Sequence, residues 1–215
     1  MERLVCVVIG YAFGLFQTSF IYGKMNGIDI RDHGSGNAGT TNALRVLGKK
    51  AGAIVLVGDM IKCILAIVIC YLLFGRNNPK MGYLYKLYAA LGAILGHNFP
   101  FYLHFKGGKG IAATAGFIAA FHPSFIPVGL LLFFGTFFLT HYVSLGSLLV
   151  YAGVMVQMVI SGELGLFHTS RPILIEMYII TAFLMAMAYY KHKDNIVRLI
   201  KGNERKTYLT KKNEL

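Results

Sequence analysis

Apolar segments long enough to cross a bilayer recur along the whole chain, with only short polar connections between them. Hydropathy marks seven: Leu4–Gly23, Gly52–Phe74, Leu84–Leu103, Gly110–Phe121, Ser124–Thr140, Tyr142–Ser161 and Pro172–Tyr190. A helix needs about 20 residues to cross the hydrocarbon core. The fourth segment is too short for that and reads as a partial or tilted helix packed against its neighbours, where protein rather than lipid surrounds the backbone. Composition agrees, with 56% of residues hydrophobic and only 14% charged, against about 25% charged in soluble domains. The predicted fold class is an all-α integral membrane protein, a seven-transmembrane-helix bundle. Residues 1–205 make a single membrane-embedded domain, and 206–215 a loose polar tail. The first run follows a barely positive Met-Glu-Arg and precedes no small-x-small cleavage site, so it reads as a retained span rather than a signal peptide.

A formal net charge of +12 would suit a nucleic-acid binder, but its distribution suits a membrane. With the N-terminus outside, the inner segments 24–51, 104–109, 141 and 191–215 hold fifteen Lys and Arg; the outer ones hold Arg3, Arg76, Lys80 and Arg171, with Lys86 near the start of a span. That asymmetry predicts an outside N-terminus, a cytoplasmic C-terminus and no nucleic-acid partner. Cys6, Cys63 and Cys70 all fall in apolar runs with no metal-site spacing and read as small buried hydrophobes.

Three polar motifs fall on the side predicted to be cytoplasmic. The first is Gly34-Ser-Gly-Asn-Ala-Gly-Thr-Thr-Asn-Ala-Leu-Arg45. Glycines admit positive φ, so the amides of 34–36 can converge on an anion. Ser35, Asn37, Thr40, Thr41 and Asn42 add hydrogen bonds, and Arg45 adds a planar fork for phosphate oxygens. No Walker loop is present, which argues against nucleotide hydrolysis. The second motif runs from Gly96 to Gly110, where Lys106 and Lys109 bracket Gly107 and Gly108 just before a span. Two ammonium groups, glycine amides and the positive end of a helix there suit a phosphate. His97 in this stretch reads as a hydrogen-bonded structural group. In the third, His192, Asn195 and Arg198 recur every three residues and share one face if helical. Such a face can poise a proton and hold an anion. Ser144 and Ser147 open the sixth span, where capping and ligand contact are both open readings. Asp59 and Lys62 share a face inside the second span and can pair, with a structural and a functional role equally open.

Taken together these segments resemble the bacterial acylphosphate-dependent glycerol-3-phosphate acyltransferases, the PlsY family. The resemblance rests on Gly34-Ser-Gly-Asn-x-Gly-x-Thr-Asn-x-x-Arg45, Gly96-His…Pro100…Phe105-Lys-Gly-Gly-Lys-Gly110, Tyr142-Val-Ser144 and His192…Asn195-Ile-x-Arg198…Gly202-x-Glu204, with Asp59 and Lys62 also placed as in that family. Thr40 departs from the family's usual alanine. The resemblance implies a seven-helix bundle in the bacterial cell membrane with a cytoplasmic site. It implies transfer of a fatty acyl group from acyl phosphate to the sn-1 hydroxyl of glycerol 3-phosphate, giving lysophosphatidic acid for phospholipid synthesis. No cofactor is implied. The implied partners are the two substrates, membrane lipids and a separate enzyme that makes acyl phosphate from acyl-acyl carrier protein.

Two phosphorylated substrates call for at least two anion grips, and an activated acyl phosphate calls mainly for positioning and charge stabilisation. The residue-level expectation is that Lys106 and Ser35 stabilise the donor phosphate and the developing charge. Arg45 and Lys109 hold phosphate with the backbone amides of 34–36 and 107–108. Asn37, Asn195, Ser144 and Arg198 orient glycerol 3-phosphate, with Gly34, Gly36, Thr41 and Asn42 completing the grip. His192 positions or deprotonates the hydroxyl, a phosphate oxygen of the donor being the other proton acceptor open to the reaction. Asp59, Lys62, His97 and Glu204 are supporting residues. The rival from another class is an organophosphate or phosphate transporter; no inverted repeat is visible for it, and the motifs cluster on one face.

Overall fold

A computed structural model describes residues 1–209, and those residues are helical wherever they are regular. The helices are α1 (Glu2–Gly14), α2 (Thr18–Met25), α3 (Thr40–Leu47), α4 (Lys49–Cys70), α5 (Pro79–Asn98), α6 (Ile111–Phe121), α7 (Phe125–Leu130), α8 (Thr136–Thr140), α9 (Val143–Glu163), α10 (Arg171–Lys191) and α11 (Lys193–Ile200). Among the described residues, four stretches are long and apolar enough to cross a membrane: Glu2–Met25, Lys49–Gly75, Val143–Glu163 and Arg171–Lys191. Their outer faces carry Val57, Ile61, Leu65 and Val68 on α4, Val156 and Ile160 on α9, and Ile179 and Phe183 on α10, all exposed. Exposed aliphatic faces on long helices mark a lipid-facing surface.

At the centre lies α5, buried along most of its length from Leu84 to Asn98. It packs backbone to backbone against α1. A Cβ added to Gly10 would sit 2.2 Å from Ala89 O, and one added to Gly92 would sit 2.2 Å from Val7 O. Gly14 and Gly96 repeat this contact one turn further on. Small residues four apart on both partners allow this approach, which supplies packing where lipid gives no hydrophobic drive between helices. The three cysteines are free and buried.

Three expected spans differ in detail, the third by a shift, since α5 runs Pro79–Asn98 where Leu84–Leu103 is expected. The first is not one helix: it breaks at Leu15–Gln17. The break is satisfied by protein, since Gln17 Nε2 donates to Gly14 O, Gly96 O and His97 O, and Lys62 Nζ donates to Phe16 O at 2.6 Å. Non-helical backbone at membrane depth survives only with such partners. The fifth, Phe125–Thr140, carries a π-helical turn at Leu131–Gly135. The short α6 has 11 residues, about half a hydrocarbon thickness at 1.5 Å per residue. It lies against α4, where a Cβ on Gly116 would meet Met60 O at 2.4 Å.

Two short amphipathic helices, α3 and α11, lie outside the seven apolar runs. The glycine-rich stretch 34–45 is therefore a loop only to Gly39, after which α3 begins. The polar tail expected to be loose from residue 206 is anchored at Thr207, which is buried and hydrogen-bonded; positions 210–215 lie outside the described residues.

Candidate active site

α3, the loop before it, the start of α6, the start of α9, α11 and the segment after it enclose a cavity of about 370 Å³. Gly34, Ser35, Gly36, Asn37, Thr41, Asn42, Arg45, Asp59, His97, Lys109, Ser144, His192, Asn195, Arg198 and Glu204 all line it. Three motifs far apart along the chain thus form one site. Leu56, Ile111, Ala112, Phe133 and Val143 give it an apolar side.

Glu204 organises one wall. Its Oε1 accepts from Ser144 Oγ at 2.9 Å and Asn195 Nδ2 at 2.7 Å, and its Oε2 accepts from Arg198 Nε at 2.7 Å. Burial pushes the Glu204 carboxyl up, but these three donors outweigh it and hold the group ionised below its ordinary range. Asn195 Oδ1 in turn accepts from Lys109 Nζ. Burial, then the nearby Arg198, bring the Lys109 ammonium down to about 8. Arg45 is likewise depressed by burial and by Arg205 and Arg198, with Glu204 opposing. The cavity therefore gathers Arg45, Lys109, Arg198 and Arg205 against three carboxylates, Asp59, Asp194 and Glu204, and the excess of positive charge is one that an anion would relieve.

His192 is buried where α10 gives way to α11, and its Nδ1 lies 2.8 Å from Ala188 O. A carbonyl oxygen only accepts, so Nδ1 carries the hydrogen and Nε2 carries the lone pair. Burial lowers the imidazole to about 4, so it is neutral at pH 7. Among the described residues, three polar atoms that belong to the cavity lining are buried without a partner: Thr40 Oγ1, Arg45 Nε and Asp59 Oδ2. Buried polar atoms left unpaired are rare in folded proteins and mark places where function outweighs stability.

The first loop differs from the expected amide nest. Gly34 and Gly36 do adopt positive φ, +60° and +70°. Yet the Ser35 N–H donates to Asn42 Oδ1 at 2.8 Å and the Gly36 N–H to His33 O at 3.0 Å, so neither amide is free. Asn42 Nδ2 donates to Ile30 O and His33 O, both at 3.0 Å. Asn42 thus staples the loop in shape, besides lining the cavity. The amides available are those of the first turn of α3, where Gly39 caps the helix with no side-chain bond; the positive end of the helix dipole faces the cavity there.

The second loop places its two lysines differently. Lys106 is exposed and outside the cavity; only Lys109 reaches in. Gly107 and Gly108 are also outside, and their N–H groups donate to Asn98 O at 3.2 Å and His97 O at 3.1 Å. A Cβ on Gly107 would lie 2.1 Å from His97 O, and one on Gly108 2.1 Å from His97 Nε2. These glycines let the loop fold onto the end of α5. That turn sends the two lysines to different sides.

Beneath the cavity, Lys62 Nζ bonds Asp59 Oδ1 at 2.7 Å and His97 Nδ1 at 2.9 Å, and Thr18 Oγ1 donates to Asp59 Oδ1 at 3.0 Å. Lys62 does not line the cavity. The cluster ties the α1–α2 break to α4 and α5. Leu56, Phe133, Arg205 and Thr207 escaped the sequence reading: the first two sit in apolar runs, Arg205 ends the embedded domain outside every motif, and Thr207 falls in what reads as a loose polar tail.

The family model for glycerol-3-phosphate acyltransferase matches residues 4–202. The chain belongs to this acyltransferase family. The Clostridioides difficile (strain 630) glycerol-3-phosphate acyltransferase is 37% identical to it over 208 residues, 94% of each chain. A glycerol-3-phosphate acyltransferase 2 of Bacillus cereus is 36% identical over 95% of each. Among solved structures, PlsY (YgiH), an integral membrane glycerol 3-phosphate acyltransferase, superposes in its glycerol 3-phosphate form with a TM-score of 0.82 at 30% identity, covering 97% of this chain and 96% of that one. Its lysophosphatidic acid form gives 0.80 at 29% identity, with 97% of each chain covered. The acyltransferase is thus an all-α, multi-pass integral membrane enzyme.

Proposed function

We propose that this glycerol-3-phosphate acyltransferase takes its fatty acyl group from acyl phosphate and delivers it, within this cavity, to the sn-1 hydroxyl of glycerol 3-phosphate. The observation that carries the reading is the gathering of Arg45, Lys109, Arg198 and Arg205 beside an apolar wall. Two phosphates need such a cluster, and the acyl chain needs Leu56, Phe133 and their neighbours. The hydroxyl oxygen attacks the acyl carbonyl, a new ester C–O bond forms, and the C–O bond to phosphate breaks, releasing inorganic phosphate and lysophosphatidic acid. The hydroxyl proton goes to neutral His192 Nε2 or to an oxygen of the donor phosphate.

Lys109, rather than Lys106, supplies charge to the leaving phosphate together with Arg45, Ser35 and the first turn of α3. Asn37, Asn195, Ser144 and Arg198 orient glycerol 3-phosphate, and Glu204 holds the last three in register. Catalysis then rests on positioned charge in a shielded site.

The distribution of Lys and Arg supports seven spans with the N-terminus outside and the cavity on the cytoplasmic face of the bacterial membrane. There it would meet donor released by a separate enzyme that converts acyl-acyl carrier protein to acyl phosphate. The membrane-embedded unit on this reading extends past residue 205 to include Thr207. The test is an assay of detergent-purified protein given glycerol 3-phosphate with acyl phosphate or acyl-CoA separately. Lysophosphatidic acid should form with acyl phosphate alone; turnover from acyl-CoA would overturn the donor assignment.

A further inference from the structure

Arg45 is held by a part of the chain that no motif includes. After α11 the chain passes Glu204 and runs across to the turn between α8 and α9. There the Thr207 N–H donates to His141 O at 2.9 Å, the Tyr208 ring lies 4.7 Å from the His141 ring, and Lys206 Nζ sits 5.8 Å from the Tyr142 ring. Thr207 is 1% exposed. Its Oγ1 accepts from Arg45 Nη2 at 2.6 Å, and Arg205 O accepts from the same nitrogen at 3.3 Å. The family match ends at residue 202, so this strap lies beyond it.

An arginine side chain is long and loses much rotamer freedom when fixed. Here both hydrogen bonds fall on one nitrogen, and Nε is buried with no partner among the described residues. One side of the guanidinium is anchored, while a desolvated N–H is left for an acceptor that none of the described residues supplies. The nearest cations, Arg205 and Arg198, push Arg45 away rather than hold it.

We propose that Thr207 is a positioning residue: its hydroxyl, fixed by the strap, presents Arg45 to a substrate phosphate in the cavity. The inference rests on the acyltransferase reading above. It assigns a functional place to a residue in the segment that composition marks as a solvated tail.

The test uses full-length protein in detergent and measures KM for both substrates and kcat. Thr207→Val keeps the shape and removes the hydroxyl; Thr207→Ser keeps the hydroxyl and removes the methyl. KM is read on folded enzyme alone, so a lower yield does not imitate the effect. Thr207→Val should raise KM for acyl phosphate, the substrate whose phosphate Arg45 serves on the reading above, by about 3- to 10-fold, the range for one lost hydrogen bond. Thr207→Ser should stay within about 2-fold of wild type, and Thr207→Val should add less than about 2-fold in an Arg45→Lys background. Unchanged KM values in Thr207→Val, an equal loss in Thr207→Ser, or a full effect in the Arg45→Lys background would each overturn the inference. Wild-type protein that makes no lysophosphatidic acid would instead sink the acyltransferase reading itself.

Discussion

The side-chain oxygen of Asn42 accepts the backbone N–H of Ser35 at 2.8 Å, closing the loop that forms one wall of the cavity. Its amide nitrogen meanwhile donates to two carbonyls, Ile30 O and His33 O. Asn42→Ala should therefore break three hydrogen bonds and leave the Ser35 N–H without its partner, while Ile30 O and His33 O keep those from the His33 and Gly36 N–H groups, at a cost of about 2 kcal/mol of stability. Asn42→Asp should be no milder, because it turns a carboxylate oxygen toward those two carbonyls. Thermal unfolding in detergent, read beside activity, checks both; an Asn42→Asp protein as stable and active as wild type would return Asn42 to the role of a simple ligand.

Glu204 makes a second prediction with an unusual sign. Glu204→Gln weakens the hub for Ser144, Asn195 and Arg198 while removing a negative charge from an anion site. kcat should fall at least about 10-fold, in line with losing hydrogen bonds to a charged group. KM for glycerol 3-phosphate should not rise, because the positive potential grows. A rise in KM with unchanged kcat would show that Glu204 acts on binding alone.

Lys109 sets the expected pH dependence. Burial and Arg198 hold its ammonium near 8 in the free enzyme, and only the charged form stabilises a phosphate. The profile of kcat/KM, which reports free-enzyme groups, should fall as pH rises through about 8. In Lys109→Arg the residual activity should lose that limb, since guanidinium stays charged. A limb that persists in Lys109→Arg would assign it to another group.

Much of the fold is legible in the sequence because lipid enforces a simple rule: the apolar runs end close to where the helices end. The break at Leu15–Gln17 is hidden, because the donors to its free carbonyls, Lys62 to Phe16 O and Tyr102 to Leu15 O, lie far along the chain. The three polar motifs are legible as a site, since apolar spans leave few other places for polar side chains. Roles within them are less so. Lys106 and Lys109 have the same charge and the same glycine neighbours, and only the packing of Gly107 and Gly108 onto His97 separates them. Asn42 has the chemistry of a ligand and the position of a staple. Thr207 carries no pattern at all; its meaning comes from Arg45, 162 residues earlier.

The central claim is that acyl transfer takes place in the cavity that Lys109 lines and Lys106 does not. The direct measurement compares lysophosphatidic acid formation from acyl phosphate and glycerol 3-phosphate by purified Lys109→Ala and Lys106→Ala proteins. Lys109→Ala should lose about 100-fold or more in kcat/KM, as when a positioned charge donor is removed. Lys106→Ala should stay within about 2-fold of wild type, as for an exposed side chain. The reverse order, with Lys106→Ala inactive and Lys109→Ala near wild type, would contradict the account.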